Sequence, residues 1–408
     1  MAKRKISKKT QREIEKVAKK HPWIVIVALI LVVVMATLCV LHYKRVVTFP
    51  FLEGVIPQES VDDGGDDITG VGGNFTNEDI QTISSSNVSI HFLELGNANS
   101  GDCTLIKVGN TEVLIDAGSK RSSADTINAY LDAFCSDNVI EYVVATHAHE
   151  DHIGAFVGGE NEYNGVLYTY QIGTLIQFSK TNSTSKIYQD YVTAVNYLQD
   201  SSREMPTKVY TALDCWNNEN GASRSFDLGQ GVSLNILYQK YYEMKSSDEN
   251  NYSVCTLLKD GTRNYLFTGD LEEEGETSLV ESNILPKCAL FKGGHHGSPT
   301  SSNTVLLEEI NPDMVCVCCC GGNYKEYQYK DMANVFPSQA FVDRVSVYTD
   351  AVYVTTQYVE GGGFTSMNGN IVVYVENGEL KLRCSNNATK LKDTDWFKQN
   401  RVMPNAWK

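Results

Sequence analysis

The 408-residue chain is 42% apolar and 21% charged, ordinary values for a globular protein of one or two domains, and its net charge is −15. Residues 1–45 hold 11 of the 35 basic side chains and 2 of the 50 acidic ones, so the rest carries 24 basic against 48 acidic groups, a net −24. Such a surface repels polyanions. This argues against avid, non-specific nucleic-acid binding through lysine and arginine but leaves local capture of phosphate by metal ions open.

The chain opens on a basic segment, 1–23, followed by 18 uncharged residues from Ile24 to Leu41. At about 1.5 Å per residue this nearly crosses a hydrocarbon core of roughly 30 Å, and Trp23 and Tyr43 stand where interfacial anchors belong. A cleaved leader has a shorter basic lead and an apolar run of roughly 7–15 residues, so 24–43 reads as an uncleaved transmembrane helix. The basic excess before it keeps the N-terminus cytoplasmic. The expectation is a single-pass protein of the cell membrane with an extracellular catalytic domain. Residues 44–87, rich in Gly, Asp and Ser, read as a flexible linker.

From residue 88 strands alternate with helices. Residues 88–95, 103–108 and 112–116 read as strands, 123–135 as an amphipathic helix and 140–145 as a buried strand. A strand at 172–178, a helix at 187–199 and strands at 208–212, 226–228 and 233–238 follow. Segments 252–259 and 263–267 flank the hairpin signal Asp260-Gly261. Helices at 271–282 and 304–310, a buried strand at 314–320, the segment 345–358 and a hairpin of 371–376 with 380–384 complete a domain of residues 88–384. Residues 385–408 are left as a C-terminal tail. The run Cys316-Val-Cys-Cys-Cys320 lacks the spaced pairs of a metal site and reads as core.

Directly after the strand at 140–145 comes Thr146-His147-Ala148-His149-Glu150-Asp151-His152. Neutral imidazoles and a carboxylate suit zinc and its neighbours. His147 and His149, two apart on an extended loop, point the same way, while Asp151 and His152 reach a different point. That geometry suits two neighbouring ions. By itself Asp270, after an apolar strand, could equally be a helix N-cap.

The His-x-His-x-Asp-His pattern resembles the metallo-β-lactamase superfamily. Ser89-Ile-His-Phe-Leu-Glu-Leu-Gly96 with Asp102 soon after, Val113-Leu-Ile-Asp-Ala-Gly118, Leu266-Phe-Thr-Gly-Asp270 and Phe291-Lys-Gly-Gly-His-His-Gly-Ser298 are similar to its ComEC-like branch, in the same order. The chain is also similar to teichoic-acid phosphorylcholine esterases. The resemblance implies an α/β fold, a four-layer αββα sandwich, behind the N-terminal span. It implies two divalent ions, zinc with manganese as the alternative, held by His147, His149, Asp151, His152, Asp270 and His295. Asp270 would bridge them and Asp116 would orient the loop. Asp151, Asp270 and His296 would be catalytic, His296 facing substrate. Ser298, Thr300 and Ser301 would contact phosphate or cap the next helix, and Asn251, in the Asn-rich stretch from Asp248 to Ser253, would contact substrate. No histidine lies between 153 and 294, and the His-Pro pair common in ComEC-like proteins is missing from 321–329.

The expected activity is that of a membrane-anchored phosphodiesterase using a metal-bound hydroxide. Its substrate would be DNA or a phosphodiester cell-wall polymer. The competing reading is a non-catalytic, metal-stabilised extracellular binding or assembly module.

Overall fold

Hairpin turns and helical crossovers decide the architecture. The computed structural model describes residues 75–159 and 164–408, all within the unit Asp67–Lys408. The basic segment, the apolar span at 24–43 and most of the expected linker lie outside the described residues, among which no helix is long and apolar enough to cross a membrane.

One sheet contains β1 (Val88–Phe92), β2 (Thr104–Val108), β3 (Thr111–Ile115), β4 (Val139–Ala145), β5 (Gln171–Gln177), β6 (Lys208–Thr211), β15 (Ile371–Glu376) and β16 (Glu379–Cys384). Its spatial order is β16-β15-β1-β2-β3-β4-β5-β6. The turn at Gly109-Asn110, with Gly109 at φ +60°, leaves β2 and β3 antiparallel. The helices Ser123–Phe134, Glu150–Val157 and Lys186–Leu198 carry the chain between strands, so β3 through β6 run parallel.

The second sheet repeats the plan with β7 (Ser225–Gly229), β8 (Val232–Leu237), β9 (Cys255–Asp260), β10 (Arg263–Phe267), β11 (Leu290–Lys292), β12 (Val315–Gly321), β13 (Val352–Val359) and β14 (Gly363–Ser366). They are ordered β14-β13-β12-β11-β10-β9-β8-β7, and β10 to β13 are parallel. Aromatic contacts such as Phe92–Phe267 (6.5 Å between ring centroids) and Tyr142–Phe226 (5.3 Å) pack the sheets together. A separate apolar cluster seals helices Thr304–Ile310 and Gln339–Val345 against the second sheet. The result is the expected α/β sandwich of two sheets with helices. Strand β12 is buried throughout, and Cys316, Cys318, Cys319 and Cys320 are free thiols in the core.

Both domain boundaries move outward. Within the expected linker, Asn77–Ser84 is a helix whose start is fixed by Thr76 and Asp79: Asp79 N donates to Thr76 Oγ1 (3.1 Å), and Thr76 N to Asp79 Oδ2 (3.0 Å). Phe75 and Ile83 bury against the core, Phe75 meeting Phe134 edge-on at 6.3 Å. The expected tail is also folded, because Leu391, Trp396, Phe397 and Trp407 are all buried. The segment 345–358 divides: Ser338 caps helix Gln339–Val345 before β13 begins.

Candidate metal centre

The parallel strands of both sheets end at one rim, the usual place for a site in an α/β fold. From the first sheet come Asp116 after β3 and the loop Thr146–His149 after β4. The second sheet brings Asp270 after β10 and Gly293–Ser298 after β11.

Asp116 sits at φ 60°, turning its carboxylate back onto the metal loop. Its Oδ1 accepts from Thr146 N (2.8 Å), and its Oδ2 accepts from Thr146 Oγ1 (2.7 Å) and His152 Nδ1 (2.8 Å). With Nδ1 so engaged, His152 Nε2 points inward and lies 3.0 Å from Asp270 Oδ2. His296 arrives from the other sheet with the same polarity. Its Nδ1 donates to Cys318 O (2.9 Å), and its Nε2 lies 3.4 Å from Asp270 Oδ2 and 3.5 Å from Asp151 Oδ2. Four ligand atoms thus converge: His152 Nε2, His296 Nε2, Asp151 Oδ2 and Asp270 Oδ2. His147 and His149 stand beside them, His147 Nε2 3.0 Å from His149 Nδ1; His147 is buried and His149 exposed.

The two histidines of the His-His-Gly-Ser element differ in burial. His296, expected to face substrate, is fully buried in the cluster. His295, expected as the ligand, keeps 18% of its side chain exposed, with Nε2 3.8 Å from Asp270 Oδ2 and Nδ1 against Thr300 Oγ1 (3.1 Å). Two of the expected substrate contacts are structural instead. Ser301 is buried and donates to Leu271 O (2.6 Å). Asn251 is buried and accepts from Glu272 N (3.3 Å). Ser298 is buried as well, accepting from Thr300 N (3.2 Å), and Thr300 alone of the four is exposed.

Sequence reasoning left out the roles of Asp102 and Lys292. Lys292 ends a strand that is otherwise apolar, and a charge there is the signal that pointed to it. Tyr327 also reaches the site, donating to Asp151 Oδ2 at 2.9 Å.

The electrostatics call for cations. Burial alone would lower the His296 imidazole, but Asp270 and Asp102 raise it to about 10. The same contest, with Asp270 and Asp116 opposing burial, raises His152 well above its ordinary value. Burial would raise the Asp270 carboxyl, yet His152 and His296 hold it well below the usual range. His147, buried and beside His152, is pushed the other way and stays neutral.

The residues fit divalent ions. Asp102, His152, Asp270 and His296 offer ligand-type atoms within 4.8 Å of one another. The inward atoms His152 Nε2 and His296 Nε2 are buried without a hydrogen-bond partner. Asp102 meets both imidazoles on their Nδ1 edges, 3.1 Å from His296 and 3.8 Å from His152. It therefore stands behind the ligands rather than among them.

A layered α/β sandwich with histidines and carboxylates gathered at its strand ends defines the class of fold that carries metal centres of this kind. Residues 96–175 match the model of the metallo-beta-lactamase superfamily. It is similar to Recombination protein 2 of Haemophilus influenzae, 28% identical over 123 residues that make up 30% of this chain and 14% of that protein. Similarity to Competence protein ComA of Neisseria gonorrhoeae is 25% identity over 219 residues, 53% of this chain and 25% of the relative. ComE operon protein 3 of Bacillus subtilis is 34% identical over 68 residues, 16% and 8% of the two chains. The matches thus span a quarter or less of these relatives' lengths. Among solved structures, the metallo-beta-lactamase fold protein YhfI of Bacillus subtilis aligns with a TM-score of 0.37 and 10% identity over 68% of this chain and 98% of that one.

Proposed function

We propose that this chain is a metal-dependent phosphodiesterase. The observation that carries the reading is the convergence of His152 Nε2, His296 Nε2, Asp151 Oδ2 and Asp270 Oδ2, with each imidazole held from behind by a fixed acceptor. Divalent ions bound there, zinc by the ligand types, would supply an acidified water and a Lewis-acidic contact for a phosphoryl oxygen. The chain's own residues do the rest. Asp116 and Cys318 O fix the ring orientations, and Asp270 links the two histidine groups.

For the substrate, relatives named as competence and recombination proteins support DNA. One observation favours a phosphodiester polymer bearing a cationic group. A cavity of about 620 Å³ opens beside Thr300, lined by Asp248, Glu272, Glu273, Glu274 and Tyr241 with Lys245 as its cation. A polyanion would be repelled there, whereas an ammonium group would be drawn in. The apolar span at 24–41 and its basic flank support an anchored, extracellular enzyme.

The test pairs metal analysis with cleavage of bis(p-nitrophenyl) phosphate, followed by a panel of single-stranded DNA, duplex DNA and choline-phosphate esters. Bound ions with cleavage support the reading. A single ion with no cleavage of any substrate would instead favour the metal-stabilised binding module. Protease treatment of intact cells tests the topology: degradation of the domain is expected, and protection refutes it.

A further inference from the structure

Lys292 is the last residue of β11, immediately before Gly293–Ser298, and is 3% exposed. An ammonium is retained in such a place only when it is paired. Its Nζ meets Asp102 Oδ2 and lies 3.9 Å from Asp270 Oδ1. Among the described residues it is the only lysine or arginine paired with Asp102, Asp116, Asp151 or Asp270. Asp102 belongs to the opposite sheet, in the loop between β1 and β2. Its own backbone is tied to the first metal loop: Asp102 N donates to Asp151 O (3.0 Å), and Gly118 N to Asp102 O (2.9 Å).

We propose that Lys292 and Asp102 form a cross-sheet ion pair that positions the ligands, and that metal affinity depends on it. Lys292 pins Asp102 Oδ2, which leaves Oδ1 3.1 Å behind His296 Nδ1. His296 lies at φ 54°, a conformation no helix or strand enforces, so Asp102 adds to the hold that Cys318 O has on its ring. On its other side, the ammonium faces Asp270 Oδ1 and leaves Oδ2 to the imidazoles. Both are positioning residues, and the proposal rests on the metal reading above.

The sign of one experiment separates positioning from bulk charge. A lysine this close to a cation site repels the ion, so if charge were its whole effect, Lys292→Met would tighten binding. Positioning predicts the reverse. The full chain is stripped of metal and titrated with Mn²⁺ and Zn²⁺ against a chromophoric chelator, alongside thermal melts of the metal-free forms. Lys292→Met and Asp102→Asn should each weaken binding about tenfold or more, the range of outer-sphere partners. The double variant should recover metal-free melting, because no charge is left unpaired, but not affinity. Folded Lys292→Met that binds as tightly as wild type, or more tightly, overturns the proposal. Should that variant not fold, Lys292→Gln, which also removes the charge but keeps a long polar side chain, is titrated in its place and read by the same sign. A wild-type chain that takes up no ion would overturn the metal reading itself, an outcome visible before any variant is made.

Discussion

Replacing Asp270 by Asn tests the centre most directly. The side chain is 1% exposed, and its Oδ2 lies 3.0 Å from His152 Nε2 and 3.4 Å from His296 Nε2. Asparagine keeps the shape and removes one charge. A unit charge about 4 Å from a cation is worth about 4 kcal/mol at an effective dielectric of about 20, close to a thousandfold in affinity at about 1.4 kcal/mol per decade. The fold should survive, since the backbone bond from Asp270 N to Ser253 Oγ (3.1 Å) does not use the carboxylate. Mass-spectrometric metal analysis, hydrolysis of bis(p-nitrophenyl) phosphate and a circular-dichroism melt read the three quantities. The expected result is metal affinity and turnover down about a thousandfold in a protein that still melts cooperatively. A folded Asp270→Asn variant with wild-type ion content and rate would refute the mechanism.

The paired histidines should behave differently. His296→Ala removes a buried inward ligand and is expected to abolish tight metal binding, whereas His295→Ala should retain ions and lose rate or substrate affinity; equal metal loss in both refutes the assignment. In the metal-free protein His296, raised to about 10, and His152, also raised, carry protons at neutral pH. Ligation needs bare imidazoles, so loading should release about two protons and affinity should climb as pH rises through neutrality. Calorimetry in buffers of different ionisation enthalpy counts them, and a count of zero contradicts the charge picture. Finally, Trp407 is buried and donates from Nε1 to Thr349 O (2.9 Å). Trp407→Ala should cost about 3–5 kcal/mol in denaturant unfolding, and a neutral change would return residues 385–408 to the status of a tail.

The parts of the site legible in the chain were those carried by local pattern. Thr146–His152 follows an apolar β-branched strand, so both its strand-end position and its ligand chemistry lie within one short window. Asp270 was not legible from its own surroundings, where a helix N-cap fitted as well; the resemblance to a known family singled it out. The orientation of His295 and His296 was not legible either. Both have positive φ, at 47° and 54°, so neither the alternation of a strand nor the period of a helix says which ring turns inward. Asp102 escaped because it looks unremarkable alone, and Lys292, although a charge closing an apolar strand, acquires its role only when the two sheets bring the pair together. The tail was misjudged because its burial comes from isolated residues, Leu391, Trp396, Phe397 and Trp407, docking on a surface built elsewhere.

The charges at the rim connect these observations. Asp102, Asp116 and Asp270 are nearly fully buried, and Asp151 keeps 20% of its side chain exposed. So many carboxylates cannot share one region without cations. Lys292 supplies a fixed one, and in the metal-free chain protons on His152 and His296 supply others. Divalent ions would replace those protons rather than simply add to them. It follows that metal affinity, proton release and pH dependence are one equilibrium, set by the same carboxylates. Neutralising any one of these carboxylates should therefore shift all three together. A variant that altered metal affinity while leaving proton release unchanged would show that the ions bind elsewhere.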